Sequence, residues 1–296
     1  MSETVKRTFE TEEFTNLHFI HPISRWLVSR LSGTKITPNM VSLTGMMFGI
    51  LAGIAYYHYQ SLYMVFAGFG AMVIWHILDG ADGQLARLNG SHSELGKILD
   101  GFCDYITFIS VYIGIGLGLS WQGGAGIWAV ILFAGALHAI QSSAYEMQRG
   151  EYDFWGHGKE GAKLPEIRQM IADLEGKSFL SIMLNQPYIG YIRMQRRFSG
   201  ISPELHHVLQ NSLKNHPDKA DDIRALYREI FAPAVRSWSI MCANYRTITI
   251  FIACLTGHPL YFFWLEIVIL TPALIFLVQK QRLLNQLFSL RLKEII

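Results

Sequence analysis

The chain has 296 residues, 51% of them hydrophobic and 16% charged, with a formal net charge of +2 at pH 7. It is too apolar for an ordinary soluble domain, and its charge is too small to suggest nucleic acid as a partner. The three cysteines, Cys103, Cys242 and Cys254, sit in apolar stretches at unrelated spacing and read as small core hydrophobes, not as a disulfide or zinc framework.

Taken in chain order, the first 20 residues mix charged and polar side chains. They lack the basic start, apolar stretch and small-residue cleavage site of a signal peptide. The segment HPISRWLVSRLSG, from His21, then puts Ile23, Trp26, Leu27 and Leu31 on one helical face, with Arg25 and Ser29 turned elsewhere. That pattern predicts a short helix lying in the membrane interface, so residues 1–36 are expected to be a cytoplasmic N-terminus plus an interfacial helix. Thr37 followed by Pro38 is an N-cap with proline at the first helical position, which predicts a sharp start for a first span.

Six apolar stretches, each of about 20 residues, are long enough to cross a bilayer. They lie near 39–59, 61–87, 94–120, 124–148, 237–258 and 260–280, which groups four spans in 37–148 and two in 237–280. Residues 149–236 are rich in charge and contain Pro165, Pro187, Pro203 and Pro217. Within them Ser202-Pro203-Glu204 is a helix start, and DKADDIRALYREIF has acids early and arginines late, as the helix dipole favours. This region is expected to be a cytoplasmic helical insertion, either a small domain or a cover for the site. Residues 281–296 repeat the amphipathic theme and predict a tail along the membrane surface. The expected fold is therefore all-α: an integral membrane bundle of six transmembrane helices, with an N-terminal interfacial helix and a cytoplasmic helical insertion.

Positive charge orients it. Lys6, Arg7, Arg25, Arg30, Lys35, Arg87, the basic residues of 149–236, and Lys280, Arg282, Arg291 and Lys293 fall on one side, whereas the loops around Tyr59–Ser61, Trp121–Gly124 and Gly257–Leu260 carry no Lys or Arg. The positive-inside rule makes the first side cytoplasmic and places both termini there.

The chemistry concentrates between Asp79 and Asp104, in DGADGQLARLNGSHSELGKILDGFCD. Asp79, Asp82, Gly83, Ala86 and Arg87 form one stripe on the second span, and Gly96, Asp100 and Asp104 form one stripe on the third. Two antiparallel helices joined by the short hairpin LNGSHSE bring four carboxylates around one hollow at the cytoplasmic end. Ionised groups at membrane depth are costly unless neutralised, and bound divalent cations would neutralise these. Hard oxygen ligands without His or Cys suit Mg²⁺ or Mn²⁺. Two such ions, about 3.5–4 Å apart, would suit phosphoryl transfer from a pyrophosphate. Asp104, furthest along its stripe, is the candidate general base toward an attacking hydroxyl. Gly83, Ala86 and Gly96 lack bulk, so a ligand can approach the backbone there.

The pattern D-x2-D-G-x2-A-R-x8-G-x3-D-x3-D is satisfied at every fixed position by Asp79, Asp82, Gly83, Ala86, Arg87, Gly96, Asp100 and Asp104. It resembles the signature of the CDP-alcohol phosphotransferase family of membrane lipid-synthesis enzymes, as do the six-span layout, the interfacial helix and the TPN at 37–39. Residues 149–236 depart from compact members of that family. The resemblance implies cleavage of a CDP-linked substrate, transfer of its phosphoryl-alcohol moiety to a hydroxyl, and release of CMP. It implies that Asp79, Asp82, Asp100 and Asp104 hold two divalent metals, and that Pro38, Asn39, Asp82, Gly83, Ala86, Arg87 and Gly96 form the CDP site. A homodimer is expected by resemblance alone.

Two substrate assignments fit. CDP-diacylglycerol donating to a polar alcohol is preferred; a soluble CDP-alcohol, such as CDP-choline, donating to a lipid hydroxyl is the alternative. An intramembrane prenyltransferase would have two separated aspartate-rich loops, and a cation transporter would have acids near the midplane and broken helices in both halves. Arg246, Arg193 and Arg197 are candidate contacts for an acceptor phosphate, Arg246 the better of them, but a solvated or lipid-facing basic surface is the preferred reading for both RMQRR at 193–197 and Arg246. The segment DFWGHGKEG at 153–161 reads either as a loop over the site or as an ordinary turn. His76 and His138 read as satisfied interior histidines.

Overall fold

The computed structural model describes residues 8–91, 93–174, 176 and 179–296, and every regular element among them is helical. Lys6 and Arg7, and His92 of the hairpin, lie outside the described residues. Among the described residues, six stretches are long and apolar enough to cross a membrane: Pro38–Tyr57, Leu62–Asn89, Ile98–Ser120, Gly126–Gly156, Pro217–Leu255 and Leu260–Ile295. The chain divides into two compact units, one of Glu13–His138 with Ala243–Ile269, the other of Ala139–Cys242 and Leu270–Ile296 with the chain up to Glu12.

In the first unit, α1 (His21–Leu31), α2 (Pro38–Tyr57), α3 (Leu62–Asn89) and α4 (Glu94–Gly123) follow in sequence. α2 packs on both α3 and α4 through a stripe of glycines. A Cβ on Gly49 would lie 2.2 Å from Thr107 Oγ1, one on Gly53 2.4 Å from the Ser110 carbonyl oxygen, and one on Gly114 2.0 Å from the Gly53 carbonyl oxygen. The α2 and α4 backbones therefore meet almost directly, the close approach that small residues permit between membrane helices. Because the atom facing Gly114 is backbone and cannot swing away, Gly114→Ala should destabilise the protein by about 1–3 kcal/mol. Gly70, which has open space beside it, should accept alanine neutrally or with a gain of up to about 1 kcal/mol. Thermal unfolding in detergent compares the two; equal midpoints would refute the packing argument.

The apolar face predicted for α1 is divided in the structure. Ile23 and Trp26 are exposed, whereas Ser24 and Val28 are buried, with Leu27 and Leu31 packed against Val41, Ala81 and Leu85. Gly80 explains the close seat: Ser24 Oγ donates to the Ile77 carbonyl at 2.7 Å, and a Cβ at Gly80 would lie 2.9 Å from that hydroxyl. Thus one edge of α1 docks on α3 and the other keeps the exposed tryptophan. Further along the chain, α10 (Ala243–Leu255) packs on α3, and α11 (Leu260–Trp264) contributes Phe262 and Phe263 to a core with Tyr56, Met72, Trp75 and Phe108. α10 has 13 residues, about 20 Å of helix, less than the roughly 30 Å hydrocarbon core. The apolar stretch there is completed by the preceding 3₁₀ turn Ser239–Met241 and the end of α9 (Ala220–Trp238).

In the second unit, α5 (Ala125–Glu151), which starts in the first unit, passes straight into a π-helical turn, Tyr152–Gly156. The segment at 153–161 is consequently no open loop at its start. Asp153 accepts from Thr8 Oγ1 at 2.7 Å and pairs with Lys159 at 3.5 Å, and Trp155 Nε1 donates to Glu151 Oε2 at 2.6 Å. Burial and then Arg228 push the His157 imidazole down from its ordinary range. α6 (Ile167–Ala172), α7 (Phe179–Phe198) and α8 (Pro203–Asn215) lead to α9. The expected surface tail is not a separate element. α12 (Thr271–Ile295) runs without a break, and its stripe of Phe288 and Leu292 joins Tyr227 and Phe231 of α9 in a buried cluster. One face of this stretch is thus covered by protein, whereas Leu283, Leu287 and Leu290 leave an apolar stripe exposed on another.

Candidate active site

The hairpin between α3 and α4 is built by local signals. Gly90 ends α3 in a left-handed conformation (φ 60°), and Ser93 caps α4 by accepting from the Gly96 amide at 2.9 Å. α3 then presents Asp79 and Asp82, and α4 presents Asp100. One carboxylate oxygen from each of the three lies within 4.8 Å of the other two. Asp82 is 5% exposed, while Asp79 and Asp100 are half-buried. Asp104 is outside this trio but stands within hydrogen-bonding reach of Asp79, and its Oδ1 is buried with no hydrogen-bond partner. Three converging carboxylates with a buried orphan oxygen alongside form an all-oxygen donor set, which fits a hard divalent cation.

The small residues of the two stripes flank these acids. Gly83 lies beneath Arg87, whose Nη1 would be 3.4 Å from a Cβ there, and Arg87 itself is exposed. Ala86 is half-buried. A Cβ on Gly96 would lie 3.1 Å from Ser93 Oγ and 3.6 Å from Asn39 Oδ1, so the start of α2 faces the α4 stripe one turn from Asp100. Thr37 caps α2 by accepting from the Met40 amide. A cavity of about 300 Å³ opens beside it, lined by residues 34–39 on one side and Asn89, Ser91 and Ser93 on the other. Pro38 and Asn39, predicted from sequence, line it; Lys35, Asn89, Ser91 and Ser93 are additions that the structure makes.

Residues 35–174 match the CDP-alcohol phosphatidyltransferase family. The chain therefore contains a stretch, just under half its length, that is similar to a CDP-alcohol phosphatidyltransferase domain. It is accordingly a multi-pass integral membrane protein. The matched range takes in the start of α2, both aspartate stripes and the end of α5. An archaetidylinositol phosphate synthase from Pyrococcus horikoshii is 35% identical over 88 residues, which cover 30% of this chain and 45% of that protein. A phosphatidylinositol phosphate synthase from Mycobacteroides abscessus is 25% identical over 162 residues, 53% of this chain and 69% of the relative. A cholinephosphotransferase 1 from Danio rerio is 25% identical over 121 residues, 36% of this chain and 31% of the relative. The chain thus spans less than half the length of the first and third of these.

The three arginines considered for an acceptor have different surroundings. Arg193 and Arg197 are exposed on α7, in the other unit from the family's aspartates. Arg246 is not open to solvent: it is 1% exposed, and its Nε donates to Glu266 Oε1 at 2.8 Å. Glu266, 0% exposed, lies in the π-helical turn Leu265–Leu270 and was missed from sequence. Its signal was a lone acid within the apolar run YFFWLEIVIL. His76 and His138 both have buried partners, Thr247 Oγ1 at 2.9 Å and Tyr112 O–H at 2.8 Å.

Proposed function

We propose that the protein transfers a substituted phosphate group from a CDP-linked donor to an alcohol and releases CMP, with Asp79, Asp82, Asp100 and Asp104 holding two divalent cations, Mg²⁺ or Mn²⁺. The observation that carries this is the convergence of Asp79, Asp82 and Asp100 from two helices, within the range that matches the family. Divalent cations bound there would supply charge neutralisation for the pyrophosphate and the leaving CMP. Asp104, with its unpartnered oxygen, accepts the proton of the attacking hydroxyl. The nucleotide end of the donor lies along Gly83, Ala86, Arg87 and Gly96 and against Pro38 and Asn39; the cavity beside these two residues supports that placement. The amides and hydroxyls lining it can pair with a pyrimidine edge and a ribose, and the small residues of the stripes let a phosphate approach the backbone.

The preferred donor is CDP-diacylglycerol and the preferred acceptor a polar alcohol, in keeping with the two inositol-phosphate lipid synthases among the relatives. A CDP-alcohol donating its headgroup to a lipid hydroxyl is the second reading, favoured by the match to a cholinephosphotransferase. The site faces the cytoplasm, as do both termini, and the protein acts as a homodimer. Incubating the purified protein and Mg²⁺ with CDP-diacylglycerol, CDP-choline or CDP-ethanolamine, each with a panel of acceptors, should show CMP release with one donor class. Asp100→Asn should abolish it. Unchanged CMP release by that variant would refute the metal assignment.

A further inference from the structure

We infer that Ser42 is a positioning residue for the metal ligand Asp82. This inference rests on the metal-site assignment above and adds to it a residue of α2, a helix that supplies none of the four aspartates.

Ser42 is 7% exposed, and its hydroxyl donates to Asp82 Oδ2 across the α2–α3 contact. The same hydroxyl is 3.2 Å from the Pro38 carbonyl oxygen one turn back in its own helix. A serine has a single hydroxyl proton, and a carboxylate is the stronger acceptor of the two. The serine is therefore committed to Asp82 and does not merely satisfy its own backbone. Its place is fixed from both flanks. Val41, next to it, packs with Ala81 and Leu85, the neighbours of Asp82 on α3. Gly45, three residues on, faces Leu78 and Trp75 of the same helix, with Leu78 Cβ 3.4 Å from where its own Cβ would be.

A buried carboxylate held by one hydroxyl keeps its plane when the cation leaves and needs no reorganisation when one returns. Hydrogen bonds of this kind to ligating groups are worth about 10–100-fold in metal affinity. Ser42 also lies one turn from Pro38 and Asn39, so the segment that begins α2 both lines the cavity and orients a metal ligand.

The test uses the full-length protein in detergent and Mn²⁺ alone, titrated by electron paramagnetic resonance of the free ion. Wild type and Ser42→Thr should bind Mn²⁺ alike, whereas Ser42→Ala should need about 10-fold more. The Mg²⁺ concentration for half-maximal CMP release should rise by the same factor. The unfolding midpoint of the metal-free alanine variant should stay near that of wild type, which a purely structural serine would not allow. Ser42→Cys, of similar volume and a poor donor, replaces alanine should the latter not fold. Asp100→Asn is the control that separates the two ideas. If it still binds Mn²⁺ like wild type, the metal site itself is wrong. If it loses Mn²⁺ while Ser42→Ala, or Ser42→Cys in its place, binds like wild type, the site stands and the role of Ser42 is refuted.

Discussion

Asp104→Asn is expected to lower CMP release by about 10²–10⁴-fold at saturating donor, the usual worth of a positioned general base. Asparagine keeps the size of the side chain and an oxygen for hydrogen bonding, but it cannot take up a proton from an attacking hydroxyl. The structure separates Asp104 from the other acids in a way that suits this role. Asp79, Asp82 and Asp100 converge within 4.8 Å, whereas Asp104 is set beside them with a buried oxygen that has no hydrogen-bond partner. The asparagine variant should therefore retain much of its Mn²⁺ binding and lose turnover, while Asp100→Asn loses both. Single-turnover release of labelled CMP, measured beside Mn²⁺ titration, distinguishes these patterns. Turnover within about threefold of wild type would remove Asp104 from the base role.

The second large effect concerns stability. Glu266→Leu or Arg246→Leu alone should destabilise the protein by about 3–5 kcal/mol, because each leaves a buried charge without its counter-charge. Both residues are essentially inaccessible, and the guanidinium Nε meets the carboxylate at 2.8 Å. Replacing both by leucine should restore most of the loss, since the remaining site is apolar and neither charge is stranded. Chemical unfolding of the detergent-solubilised single and double variants forms the cycle. Single variants within about 1 kcal/mol of wild type, the range of exposed pairs, would show that the pair is solvated in the membrane-embedded protein.

The aspartate constellation was legible in the sequence because it is local. Spacings of three and four residues fix a helical face, and a short polar hairpin between two apolar stretches brings two such faces together. Six spans were legible for the same reason, as each is a continuous apolar run. What escaped depends on contacts that sequence separation hides. Ser42 meets Asp82 across 40 positions, and Arg246 meets Glu266 across 20. Arg246, a candidate contact for an acceptor phosphate on sequence, is paired with Glu266 in the structure. Ends of elements were misjudged wherever helix continues through a change of composition. Charge marks the start of 149–236, yet the backbone runs helically through Gly156, and α12 carries its hydrogen-bonded path through the amphipathic residues that had suggested a surface tail. Composition reports the solvent preference of a stretch, and a helix can cross such a change without breaking. The division of the α1 face likewise needed Gly80, a residue on a different helix, to be seen as its seat.

The backbone contact between Gly53 and Gly114 bears on how this chain tolerates mutation. α2 contributes none of the four acids, so a ranking by chemistry would leave it free to vary. Yet its glycine stripe admits no side chain, and α4, against which it lies, carries Asp100 and Asp104. In a saturation screen scored for growth or for CMP release, Gly49 and Gly53 should therefore be as intolerant as the aspartates themselves. The exposed positions beside them, such as Leu51 and Ile54, both more than half exposed, should accept almost any apolar residue. A variant at Gly53 that inactivates the protein would be a defect of helix spacing rather than of chemistry, because the nearest atoms it meets on α4 are the backbone of Ser110.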